Sequence, residues 1–118
     1  NIDWDSDVIL VEGVFDAIFA GNAVALLGST LREESKLFQH IIQNDSSVFI
    51  ALDPDAEKKA MKIARTLMKY DVEVWKIDLT EGKDVAELGS TAFKSLKENA
   101  VLLKNDNDYL LQRKIMSI

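Results

Sequence analysis

The sequence predicts an α/β fold: a sheet of about four parallel strands flanked by helices, with a helical C-terminal tail. Short apolar runs recur at Val8–Val11, Ala23–Leu27, Val48–Leu52 and Val72–Ile77, and the first three stop abruptly at small or acidic residues. Between them lie stretches of helical spacing, clearest where Ala56, Ala60, Ile63, Ala64, Leu67 and Met68 fall on one helical face. Turn clusters such as Gly21-Asn22 and Asn44-Asp45-Ser46-Ser47 punctuate the alternation. Strands that alternate with helices imply a parallel sheet with right-handed crossovers.

Composition bounds the class. The 118 residues are about one domain's worth, 47% apolar and 29% charged, the balance of an ordinary globular protein. No run of about 18 apolar residues could span a bilayer, so no membrane is expected as a partner. With no cysteine there is neither a disulfide framework nor a thiolate metal site. A reducing, cytoplasmic setting is the expectation. The net charge of −6 argues against a domain that grips nucleic acid by bulk electrostatics. It suits a site where carboxylates hold a cation and the cation meets phosphate. The chain begins at Asn1 without a basic-plus-apolar leader, which reads as an excised domain or a processed fragment.

Taken in order, residues 1–7 form a polar lead-in in which Trp4 packs on the sheet's edge. The first strand ends at Glu12-Gly13, and a short helix follows to Ala20 with Phe15, Ile18 and Phe19 as its apolar face. The second strand ends at Gly28-Ser29-Thr30. The capping-box spacing of Thr30-Leu31-Arg32-Glu33 starts a second helix there, running to about Gln43. The third strand ends at Asp53-Pro54-Asp55, and Asp55 is placed to cap the long helix behind it. Residues 72–77 alternate as a half-exposed strand. Two short helical pieces follow from Val85 to about Asn99, broken at Gly89-Ser90-Thr91. The domain is expected over residues 1–98, with its core at about 7–90 and a helical extension or the start of an adjacent region at 99–118.

The carboxylates carry the chemistry. Glu12 ends a buried strand, and in parallel sheets ligands collect beyond the carboxyl ends of the strands. Asp53 and Asp55 aim at one volume if the chain stays extended through Pro54, and two close carboxylates are relieved by a hard divalent ion. A strand-to-helix turn wants the same residue types, so the bland reading of each is a turn or a cap. Asp16, four residues after Glu12, would place a second negative charge on the same helix face, where it reads as support for the site more than as a ligand. Asp84 can cap a helix or serve the site. Lys58, Lys62, Arg65 and Lys69 form a basic stripe, read first as a solvated helix face and second as a nucleic-acid contact track. His40 reads as a surface or edge residue. Neither phosphate-binding glycine motif is present, and no Ser/His/Asp or Cys/His arrangement is apparent.

The order of strand-EGVFD, a strand ending in ALLGST, strand-ALDPDA with a long helix, and a strand followed by EGKD resembles the Toprim domain of bacterial-type primases, topoisomerases and some nucleases. It is most similar to the primase branch, phage primases and primase-helicases included, over about residues 7–90. The resemblance implies a Toprim-like, Rossmann-like sheet and a site for Mg²⁺ or Mn²⁺. Glu12 matches the family's glutamate, Gly13 the glycine after it, Asp16 the helix aspartate, and Asp53 and Asp55 the metal-binding pair. Gly28-Ser29-Thr30 is similar to a Gly-Thr of primases, one residue longer. Gly82-Lys83-Asp84 looks like their Gly-Lys-Asp, which makes Lys83 and Asp84 supporting candidates. Pro54 replaces the usual glycine of the pair, and Glu57-Lys58 stands near a later one, which favours a phage-like version.

The expected function is therefore the Toprim catalytic domain of a DNA primase-like nucleotidyltransferase that makes RNA primers for DNA replication. Glu12, Asp53 and Asp55 are the metal candidates, and Glu12 and Asp16 the catalytic ones. The partners implied are nucleoside triphosphates and a single-stranded DNA template in the full-length protein, with a replicative helicase as a further one. The piece alone should bind metal and polymerise poorly or not at all. The alternatives are a Toprim nuclease, a topoisomerase fragment using Tyr70 or Tyr109, and a non-catalytic metal- or nucleic-acid-binding domain.

Overall fold

The computed structural model describes residues 2–28, 31–79 and 85–104. The apolar runs become strands where expected. β1 (Val8–Val11) and β3 (Val48–Ala51) are buried at every residue, which fits strands covered on both faces. β2 (Ala23–Ala25) and β4 (Val74–Lys76) are shorter than their apolar runs and less buried. Among the described residues these four join a fifth, β5 (Val101–Leu103), in one sheet of order β2-β1-β3-β4-β5. The first four are mutually parallel, and β5 pairs antiparallel with β4.

β5 corrects the expected helical tail over residues 101–103. Val101-Leu102-Leu103 is too short to show a period of its own, and its pairing with Lys76, Trp75 and Val74 is supplied by the sheet. Residues 105–118 lie outside the described residues.

Period-two alternation along the central strands divides the core in two. Val8, Leu10, Val48 and Ile50 face one layer, with Phe38 and Ile41 of α2 (Lys36–Asn44) and Ile63 and Leu67 of α3 (Glu57–Met68). Ile9, Val11, Phe49 and Ala51 face the other, with Ala17 and Ala20 of α1 (Val14–Ala20) and Val85 and Phe93 of α4 (Val85–Glu98). α4 bends at Gly89, whose φ of 82° lies outside helical geometry, at the first residue of the expected break. Among the described residues, no helix is long and apolar enough to cross a membrane.

Two helix readings need correction. α2 starts at Lys36 behind a Ser35 cap whose Oγ accepts from Phe38 N–H, several residues after the proposed Thr30 box; Thr30 itself lies outside the described residues. On α1 the expected apolar face is the exposed one, with Phe15 73% and Ile18 66% accessible. The helix docks instead through Asp16, Ala17 and Ala20, because small side chains allow a close approach to α4.

Candidate functional site

The sheet order places a topological switch between β1 and β3. From β1 the chain crosses to β2 on one side and later returns to β3 on the other. Such points open a crevice beyond the carboxyl ends of the strands. The pairing of Val11 with Ala51 sets Glu12 level with Leu52, and Asp53 one residue further along the same edge. The ends of the two buried runs therefore lie side by side.

Glu12 is held from two directions. Its backbone oxygen accepts from Leu27 N–H at 2.9 Å, and its Oε1 accepts from Gly28 N–H, also at 2.9 Å. The loop after β2 makes this possible by taking positive φ at two successive residues, 54° at Leu27 and 82° at Gly28. Glycine accepts that geometry readily, whereas Leu27 is strained in it and 68% exposed. From the α3 side, Lys59 Nζ donates to Glu12 Oε1 at 3.2 Å and Oε2 at 3.0 Å. Lys59 is largely covered, at 17% side-chain exposure.

Asp16 is placed differently. Its Oδ2 accepts from Gly13 N–H at 3.1 Å, and its Oδ1 from Ala86 N–H at 3.0 Å. One carboxylate thus satisfies backbone donors at the starts of both α1 and α4. The expected sharing of a helix face with Glu12 does not occur, because Glu12 precedes α1. Its lysine partner comes from α3, on the opposite face of the sheet from Asp16's contact to α4. Gly13 has ordinary extended backbone, but a Cβ there would stand 3.3 Å from Asp16 Oδ2. The glycine lets this carboxylate close on the helix start.

The extended course through Pro54 is also corrected. Asp53 remains extended at φ −57°, ψ 149°, but Pro54–Ala56 form a 3₁₀ turn closed by Ala56 N–H on Asp53 O at 2.9 Å. Proline suits the first turn of such an element, and the turn removes the two-residue alternation that would have aimed both aspartates alike. Asp53 is half-buried and Asp55 exposed. Asp55 does not cap α3, whose N-cap is Ala56 without a side-chain hydrogen bond. Among the described residues, no three His, Cys, Asp or Glu side chains stand together as a metal-ligating group.

Lys58, Lys62, Arg65 and Lys69 are exposed, as expected of an outer helix face. His40 is exposed and stacks on Trp4 with ring centroids 4.8 Å apart. Tyr70 lies just beyond the far end of α3, roughly 18 Å along the helix from its start, and donates its hydroxyl to Glu33 Oε2 at 2.7 Å. Ser29, Thr30, Gly82, Lys83, Asp84 and Tyr109 lie outside the described residues.

Sequence reasoning missed Lys59 and Lys76. Lys76 Nζ pairs with Glu57 Oε1 at 3.3 Å, so α3 is clamped through an ion pair to each of the strands flanking β3: Lys59 to the residue after β1 and Glu57 to β4. A signal for Lys59 was present. It falls four residues before buried Ile63, and it is a cation in a helix's first turn, where the dipole disfavours one unless an acid answers it.

No family model matches the chain, and no curated protein matches it. Among solved structures it is similar to the crystal structure of the Aquifex aeolicus primase, zinc-binding and RNA polymerase domains, with 26% identity and a TM-score of 0.68. The match covers 84% of this chain and 27% of that one. The chain has a primase-like fold and corresponds to about a quarter of the length of that structure.

Proposed function

We propose that this chain is the Toprim-type catalytic domain of a primase-like protein, working in divalent-metal-dependent nucleotidyl transfer. The observation that carries this reading is the in-register adjacency of β1 and β3, which sets Glu12 and Asp53-Pro54-Asp55 on one carboxyl edge at the switch point. The fold's likeness to a primase containing an RNA polymerase domain supports it. In donor chemistry the three carboxylates suit a hard ion such as Mg²⁺ or Mn²⁺. As placed, they are not yet gathered around one point.

Glu12, Asp53 and Asp55 would hold the ion, which when bound supplies Lewis acidity and charge neutralisation for an incoming triphosphate. The protein's own part is positional. Gly28 N–H and Lys59 fix the Glu12 carboxylate at the strand end, while Asp16 pins the starts of α1 and α4 behind it. The 3₁₀ turn carries Pro54 and Asp55 directly ahead of α3. Nucleoside triphosphates and single-stranded template are the substrates this reading implies for the full-length protein.

Calorimetric titration with Mg²⁺ and Mn²⁺ tests it on the intact chain and on Asp53→Asn/Asp55→Asn, with folding checked by circular dichroism. The wild type is expected to bind and the folded double variant to lose binding. Primer synthesis by the full-length protein should fall roughly 100-fold or more in the double variant. Retained metal affinity in the folded double variant would remove the pair from the site.

A further inference from the structure

Both oxygens of Glu12 are already engaged. Lys59 Nζ spans them at 3.2 and 3.0 Å, and Gly28 N–H takes a further share of Oε1 at 2.9 Å. The Lys59 side chain is mostly covered and Glu12 about a third exposed, so the pair is less screened than a fully exposed surface pair would be. Lys59 brings positive charge to the carboxylate that the proposed reaction would need for its metal.

We propose that Lys59 is a positioning residue acting as an internal counter-cation. It holds Glu12 in place while no metal is bound and competes with the divalent ion for the same two oxygens. The inference rests on the metal-dependent reading above and extends it to the control of occupancy. Two cations at contact distance on one carboxylate repel each other, so ion entry favours the ammonium swinging away on its flexible stem. The lysine therefore weakens metal binding while offsetting the negative charge that Glu12 adds to the edge carrying Asp53 and Asp55.

Mn²⁺ titration of the intact wild-type chain and of Lys59→Met measures the competition directly. Methionine keeps much of the length and apolar contact of the stem but carries no charge. Lys59→Met is expected to bind Mn²⁺ more tightly, on the order of tenfold, and to show a larger rise in thermal midpoint on adding Mn²⁺. In a Glu12→Gln background the same substitution should leave Mn²⁺ affinity unchanged, because the contested carboxylate is gone. If Lys59→Met does not fold, Lys59→Gln takes its place with the same expectation. Equal or weaker Mn²⁺ binding by the folded variant would overturn the competition and leave the metal reading standing. Absence of binding by wild type and variant alike would overturn both.

Discussion

Asp16 shows how one side chain can tie two helix starts together beside a candidate site. Its two oxygens take the N–H groups of Gly13 and Ala86, joining the starts of helices that are distant in sequence. Replacing it with alanine leaves two donors in part-buried surroundings without a partner, at a cost of roughly 2–3 kcal/mol. Urea unfolding of Asp16→Ala should show that loss with little change in the denaturant slope, and Asp16→Asn should recover part of it. Its partnership with Gly13 was legible in the glycine-to-aspartate spacing of a helix start. Its bond to Ala86 was not, because no local pattern links residues 70 positions apart. Lys59 shows the converse. Its place on the row of Ile63 was readable, but its partner depends on β1 and β3 being neighbours.

At the scale of elements, the end of α3 is tied to the segment before α2. Glu33 accepts from the Tyr70 hydroxyl at 2.7 Å and from Lys69 at 3.2 Å, and Tyr70 meets Phe38 edge-on. The hydrogen bond from Tyr70, then that from Lys69, holds the Glu33 carboxyl below its ordinary value of 4.5. The same bonds to Glu33 raise Lys69 and Tyr70 above theirs. A depressed carboxyl contributes stability above its unfolded value and loses it as pH falls through the folded one. The raised Lys69 and Tyr70 contribute below their unfolded values and lose it as pH climbs. The advantage of the wild type over Tyr70→Phe should be present near neutrality and shrink both below about pH 4 and above about pH 10, followed by urea midpoints across pH. The strand-and-helix alternation around this tie was legible because periodicity is local. β5 and the true start of α2 were not, since one depends on an edge partner and the other on the Ser35 cap.

For the whole molecule, the sheet separates two cores that differ in what they leave outside. Phe93 is 2% exposed in the layer beneath α1 and α4, whereas Phe15 on α1 is 73% exposed. Phe93→Ala should cost about 3–5 kcal/mol, and Phe15→Ala should stay within about 0.5 kcal/mol of wild type, both read from denaturant melts. Both residues lie in stretches that the sequence marks as helical. Only packing distinguishes them, because α1 approaches the sheet through alanines and turns its bulk outward. The same architecture bears on how the protein comes to exist. β1 pairs with β2 in parallel across the short crossover that holds α1, but its pairing with β3 joins Val8 to Val48, about 40 residues away. Closing so long a loop is entropically slow compared with forming the local helices. The acidic edge exists only after that closure, so a nascent or partly refolded chain that lacks the pairing of β1 with β3 lacks that edge, whatever local helical turns it has formed.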